Sequence, residues 1–148
     1  MNLKPHLRVL LVDDEPGVRT IFESVLQEAG YAVETAKNGH EGWEMIQHNK
    51  PWDAAILDRA MPEMGGEELG RKIRETSPRT SLIMITGAPE AIHEPLLFDA
   101  ILAKPFLPSE LLSCLSRALE GNSDRPLWSK LSQWLGDVTD RSSGGSHS

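Results

Sequence analysis

The chain is poor in the residues that build cross-linked, exported or membrane-spanning proteins. It holds a single cysteine, Cys114, which excludes an internal disulfide or a cysteine-based zinc site and makes a reducing cytoplasm the expected compartment. No stretch approaches the roughly 20 apolar residues that cross a bilayer, and the apolar run in "MNLKPHLRVLLVDDE" is too short for a signal peptide. Excess positive charge is also missing: 15 Lys and Arg face 22 Asp and Glu, a net −7, which argues against nucleic acid or an anionic membrane as partner and toward proteins or cations. The histidines at 6, 40, 48, 93 and 147 have no metal-ligand spacing and are expected at the surface. The turn after the first strand lacks both GxGxxG and GxxxxGK[ST], so a phosphate here would have to be covalent or metal-held.

What is present is an alternation of short β-rich apolar runs with segments of helical period, the pattern of a parallel sheet covered by helices on both faces. At 148 residues one domain is expected. "RVLLVD" (8 to 13), "YAVETA" (31 to 36), "DAAILD" (53 to 58), "SLIMIT" (81 to 86) and "AILA" (100 to 103) read as five strands. Val18, Ile21, Phe22, Val25, Leu26 and Ala29 repeat at steps of three and four before the helix stop Gly30. Further helices are expected over 39 to 49, over about 67 to 75, and after Pro108, where Leu111, Leu112, Leu115, Ala118 and Leu119 make an apolar stripe. Between the fourth and fifth strands, "GAPEAIHEPLLFD" carries two prolines and holds only a short or broken helix, the fifth of the set. Trp43 and Trp52 are expected to pack, and Cys114 to be a partly buried helix residue.

Ligands of open parallel sheets bind at the carboxyl ends of the strands. At those ends stand Asp13 and Asp14, then Asp58, then Thr86, then Lys104 and Pro105. Like charges about 4 Å apart repel by roughly 4 kcal/mol at an effective dielectric of 20, so Asp13, Asp14 and Glu15 in a row call for a helix cap, a cation site, or both. Asp14 before Glu15-Pro16 would serve as a cap in isolation. The convergence of three acids, a hydroxyl and an ammonium on one edge is the stronger signal.

These residues resemble the receiver domain of two-component response regulators over about residues 6 to 120: an acidic pair (Asp13-Asp14), a lone Asp58 followed by Met61-Pro62, then Thr86, then Lys104-Pro105. The resemblance implies a flavodoxin-like doubly wound sheet. It implies that Asp58 takes a phosphoryl group from a histidine kinase or phosphotransfer protein, forming an acyl phosphate. It further implies Mg2+ held by Asp14, Asp58 and the backbone carbonyl of Ala60, with Asp13 acting through water. Lys104 and Thr86 would each engage a phosphoryl oxygen, and Lys104-Pro105 is a candidate cis peptide.

The chain departs from that family in places. Ile101 occupies the position of the usual aromatic switch residue, Ala60 and Ala88 offer no side chain to position a hydrolytic water, and the interval from Thr86 to Lys104 is about one helical turn short. A receiver cut from a larger regulator or from a hybrid histidine kinase fits the same residues. An aspartyl-phosphate phosphatase would need a second acid at position 60, where Ala60 stands. Residues 121 to 148 are expected to hold a short amphipathic helix (about 125 to 136) and a disordered polar tail, too little for a DNA-binding effector. That helix would carry Leu127, Trp128, Leu131, Trp134, Leu135 and Val138 on one stripe, packing on the domain or on a second copy in a homodimer.

Overall fold

A computed structural model describes residues 6–48 and 51–123. Five strands, β1 (Arg8–Val12), β2 (Ala32–Ala36), β3 (Ala54–Asp58), β4 (Ser81–Thr86) and β5 (Ala100–Ala103), form one parallel sheet in the order β2-β1-β3-β4-β5. Four α-helices, α1 (Pro16–Glu28), α2 (Gly39–His48), α3 (Gly66–Thr76) and α4 (Pro108–Ser123), lie among the described residues. The order reverses at β1, the first strand, which puts a crevice at the carboxyl ends of β1 and β3.

Strand alternation divides the core in two. Leu10, Val12, Leu57, Leu82 and Met84 face Ile46 of α2 and Leu69 and Ile73 of α3. Val9, Leu11, Ile56, Ile83 and Ile85 face Leu26 of α1 and Leu111, Cys114 and Leu115 of α4. The central strands are apolar from Val9 to Val12, Ala54 to Leu57 and Leu82 to Ile85 because both of their faces are covered, which is why these stretches read as unbroken runs. Trp52 is buried, Trp43 half-buried, and Cys114 buried.

Local chemistry sets the helix starts. Asn38 Oδ1 accepts the Glu41 N–H at 2.8 Å while Glu41 Oε1 accepts the Lys37 N–H at 2.7 Å, tying down the entry to α2. Pro108 opens α4, and Glu110 Oε1 accepts the Leu107 N–H at 2.6 Å. At α1 the expectation of an Asp14 cap is corrected: Glu15 occupies the N-cap with no side-chain cap bond, and it is Asp13 Oδ1 that accepts the Glu15 N–H at 2.9 Å. That carboxylate folds the turn back on itself.

The fifth helix is where the count differs. Between β4 and β5 the chain makes two single 3-10 turns, Pro89–Ala91 and Pro95–Leu97, in place of an α-helix. Each turn begins at a proline, which lacks the N–H that would extend a helix through it. Side chains from α3 hold this segment instead. Glu67 Oε2 accepts the N–H groups of His93 (2.7 Å) and Glu94 (3.0 Å), Arg71 pairs with Glu94 at 2.9 Å, and Arg74 reaches Leu97 O (2.9 Å) and Asp99 Oδ2 (3.0 Å). The helix expected over 125 to 136 lies outside the described residues.

Candidate functional site

The carboxyl ends of β1 and β3 deliver their acids to one spot. A carboxylate oxygen from each of Asp13, Asp14 and Asp58 lies within 4.8 Å of the others. Asp13 and Asp58 are buried and Asp14 is exposed, so the cluster opens to solvent on the Asp14 side. Arg19 Nη1 donates to the Asp13 carbonyl at 2.7 Å, fixing the turn from the α1 side. This contact was invisible in the sequence, where Arg19 is one polar residue of an amphipathic helix.

Lys104 arrives from the far side of the sheet. Its N–H bonds to Thr86 O at 2.8 Å, continuing the β4-β5 ladder, and its Nζ lies 2.9 Å from Asp58 Oδ1. The Lys104-Pro105 peptide is cis, as the resemblance led one to expect. Thr86 is buried at the end of β4, and its Oγ1 accepts the Ala88 N–H at 2.9 Å. Ile101 sits opposite Met84 in the β4-β5 register, half-buried against the α2–α3 core, so it is a packing residue with no polar tip. Ala60 is exposed in the loop directly after Asp58.

The electrostatics are those of a site short of positive charge. Burial pushes the Asp58 carboxyl above its ordinary range; Lys104 opposes this, while Asp14 and Glu15 reinforce it. Burial likewise raises Asp13, offset in part by the Glu15 N–H and reinforced by the charge of Asp58. Burial acts to lower Lys104, yet its bond to Asp58 and the charges of Asp58 and Asp13 outweigh that, and the ammonium is held above its ordinary value. One cation thus faces three acids.

A divalent ion fits this donor set. All the side-chain ligands on offer are carboxylate oxygens, the choice of a hard cation such as Mg2+, and their convergence leaves an open side for water. No ring nitrogen or thiolate takes part, which disfavours softer metals.

The structure also shows how the acid edge is braced. Gly66, the first residue of α3, packs so closely on the end of β3 that an added Cβ would lie 2.6 Å from the Asp58 carbonyl oxygen. Nothing in the sequence marks this glycine apart from its neighbour Gly65. A groove of about 650 Å³ beside Asp58 is lined by Arg59, Ala60, Glu67, Arg71 and His93, so the strapped β4-β5 segment forms its wall. No helix among the described residues is long and apolar enough to cross a membrane.

Comparisons with known proteins agree with this geometry. The profile described as the response regulator receiver domain matches residues 9–116. The response regulator MprA of Mycobacterium sp. (strain KMS) is 33% identical over 142 residues, covering 90% of this chain and 61% of that protein. The chain therefore spans about three-fifths of the length of that curated relative. Among solved structures, the CheY-like response regulator receiver domain protein from Methanospirillum hungatei JF-1 has a TM-score of 0.75 at 30% identity, over 82% of this chain and 100% of that one. The receiver domain of the sensor histidine kinase PA1611 from Pseudomonas aeruginosa PAO1, solved with a magnesium ion coordinated in its active-site cleft, has a TM-score of 0.70 at 30% identity, over 78% of this chain and 99% of that one.

Proposed function

We infer, since the chain belongs to the response regulator receiver domain family, that Asp58 accepts a phosphoryl group from a histidine kinase or phosphotransfer protein in a magnesium-dependent reaction. The observation that carries this reading is the meeting of Asp13, Asp14 and Asp58 within 4.8 Å, with Lys104 Nζ 2.9 Å from the Asp58 carboxylate. A receiver is a signalling domain, so its product is its own modified state.

In the transfer, an oxygen of Asp58 bonds to phosphorus as the bond from phosphorus to the donor's imidazole nitrogen breaks, leaving an acyl phosphate and a free imidazole. When bound by Asp14, Asp58 and the Ala60 carbonyl, with Asp13 acting through water, magnesium supplies positive charge opposite the phosphoryl oxygens. Lys104 is already on the Asp58 carboxylate and would move its charge-assisted bond to a phosphoryl oxygen. Thr86 would donate its hydroxyl proton to a second phosphoryl oxygen while its Oγ1 accepts the Ala88 N–H, which links the chemistry to the loop after β4. With Ala60 and Ala88 flanking the site, no side chain there holds an attacking water, so the acyl phosphate is not unusually short-lived.

Output runs through protein contacts in the cytoplasm, by way of a downstream protein or a second copy of the domain. Relatives of two kinds, a response regulator and the receiver of a sensor histidine kinase, match the chain. The proposal therefore concerns the phosphoacceptor itself. Intact mass after incubation with acetyl phosphate and Mg2+ tests it: one phosphate should be gained by the protein, none by Asp58→Asn, and none when EDTA is present. Labelling of Asp58→Asn to the wild-type level would remove Asp58 from the role.

A further inference from the structure

The segment between β4 and β5 is held at both ends, and the two ends answer to different parts of the molecule. The near end belongs to the phosphoryl site, where Thr86 Oγ1 accepts the Ala88 N–H at 2.9 Å. The far end is pinned to α3. Arg74 reaches Leu97 O and Asp99 Oδ2, and the buried Phe98 ring lies so close to Gly70 that an added Cβ there would stand 2.7 Å from it. A movement that starts at Thr86 has only residues 87–94 in which to spread.

Glu67 sits where that movement would end. Its Oε2 accepts both the His93 N–H (2.7 Å) and the Glu94 N–H (3.0 Å). Only 16% of the Glu67 side chain is exposed, against 86% for His93, and both members of the Arg71–Glu94 pair are about half-exposed. Charge-assisted bonds to backbone N–H groups are strong when shielded from water, whereas an exposed ion pair contributes little, so Glu67 is the main tie at this point. Burial acts to raise its carboxyl, yet the Glu94 and His93 N–H groups and the His93 ring outweigh that and hold it below its ordinary value.

The two sides of this tie are not equally free. Gly66, the neighbour of Glu67, donates its N–H to Arg59 O at 3.0 Å and packs against the Asp58 carbonyl, so the start of α3 is fixed to the end of β3. The segment, in contrast, has little internal slack and can move as a unit. The Ala91 N–H bonds to Ala88 O (2.9 Å) and the Ile92 N–H to Pro89 O (3.3 Å), and the Ile92 side chain is buried in the α2–α3 core, which makes residues 88–92 one packed turn. A shift of Ala88 is therefore passed on to His93 and Glu94. Hydrogen bonds weaken steeply as their angle closes, so a small shift suffices to undo them.

We propose that Glu67 is a latch: it closes the β4–β5 segment onto α3 while Asp58 is unmodified, and phosphorylation of Asp58 releases the His93 and Glu94 N–H groups. The inference rests on the reading of Asp58 as the phosphoacceptor. A phosphoryl group brings up to about two negative charges and three acceptor oxygens to the end of β3. As the Thr86 hydroxyl moves to donate to one of them, Ala88 follows through its bond to Oγ1, and the packed turn draws His93 and Glu94 off a carboxylate that stays behind. The coupling is reciprocal: a chain without the latch no longer favours the unmodified arrangement, and so binds a phosphoryl mimic more tightly.

Amide hydrogen exchange followed by NMR on the full 148-residue chain tests this, in Mg2+ alone and in Mg2+ with beryllofluoride, an equilibrium stand-in for the phosphoryl group. Saturation should speed exchange of the His93 and Glu94 amides by about tenfold, and leave unchanged the Leu82 amide, which bonds to Asp99 Oδ2 at 2.7 Å at the pinned end. Glu67→Ala should exchange at the fast rate before beryllofluoride is added, gain nothing further from it, and bind it about fivefold more tightly, a gain that a merely structural Glu67 would not give. Glu67→Gln, which keeps an acceptor and loses the charge, should fall between the two. Equal exchange of His93 and Glu94 with and without saturating beryllofluoride would overturn the latch and leave the phosphoacceptor reading standing, as would unchanged or weaker affinity in both Glu67 variants. Absence of binding by the wild type, or binding retained by Asp58→Asn, would instead overturn the phosphoacceptor reading, and the latch with it.

Discussion

One of the closest backbone approaches among the described residues is where α3 begins, and Gly66→Ala tests what that closeness does. The added Cβ would stand 2.6 Å from Asp58 O, 3.0 Å from Arg59 Cα and 3.1 Å from the Asp58 carbonyl carbon, all of them backbone atoms. Carbon and oxygen rest at about 3.3–3.6 Å, so the start of α3 and the end of β3 must part by roughly 0.7 Å or more. No side chain can turn aside to absorb this. Overpacking of this kind costs about 1–3 kcal/mol, which the better helix propensity of Ala, at most about 1 kcal/mol, does not cancel. The displaced residue is the phosphoacceptor, and a misplacement near 1 Å can slow a reaction by about 100-fold, so labelling by acetyl phosphate should slow by about tenfold or more. Urea unfolding reads the first effect and time-resolved intact mass the second. Gly17→Ala in α1 is the control: nothing lies within 4 Å of its Cβ, so it should leave stability unchanged or slightly raised. A Gly66→Ala protein as stable as wild type and labelled as fast would mean that α3 does not brace Asp58, and the account of the acid edge would fall.

Other perturbations follow from the same contacts. Burial holds the Asp13 carboxyl above its ordinary range, so the folded state binds that proton more tightly than the unfolded one and the carboxylate is destabilising at neutral pH. In metal-free buffer Asp13→Asn should raise the urea midpoint at pH 7, with the gain shrinking as pH falls through the raised folded value toward 3.8; a gain that grows in acid would show the sign to be wrong. Asp14→Ala should weaken magnesium binding in calorimetry because an anionic ligand is lost, whereas Lys104→Ala should keep the ion and lose the shape change on phosphorylation; equal affinity of Asp14→Ala and wild type would contradict the ligand assignment. Glu63 is a non-glycine residue at φ 67°, in the loop between β3 and α3. Left-handed backbone costs a side chain about 1–2 kcal/mol, partly regained by glycine's loss of freedom, so Glu63→Gly should stabilise by about 0.5–1 kcal/mol, and a lower urea midpoint would refute it.

The parts of this structure that were legible in the sequence are those fixed by local patterns. Buried strands such as Ala54–Asp58 announce themselves as apolar runs, and the residues that end them or stand just past them, Asp13, Asp14, Asp58, Thr86 and Lys104, come together because a parallel sheet brings strand ends to one edge. Pro89 and Pro95 foretold a broken helix, though not that it would become two 3-10 turns. What stayed hidden depends on contacts between residues far apart in sequence. Glu67 is separated by 26 residues from His93, and Arg74 by 25 from Asp99, and no period or spacing announces such pairs. Asp14 looked the better cap because local rules place an acid there, but burial of the first acid gave that part of the turn to Asp13.

Arg74 has a consequence for which sequences this fold can tolerate. Its guanidinium donates to Pro78 O (3.1 Å), Thr80 O (3.3 Å), Leu97 O (2.9 Å) and Asp99 Oδ2 (3.0 Å), joining the end of α3, the start of β4 and the start of β5. A helix between β4 and β5 would satisfy most of its own carbonyls; two isolated turns leave several to be met from outside. Lysine, with three donors on one nitrogen, cannot span acceptors that lie on both sides of a planar fork. An exchange of arginine for lysine, neutral at most surface positions, is therefore a costly step here, and relatives that share the shortened connection should keep arginine at this place or regain the helix.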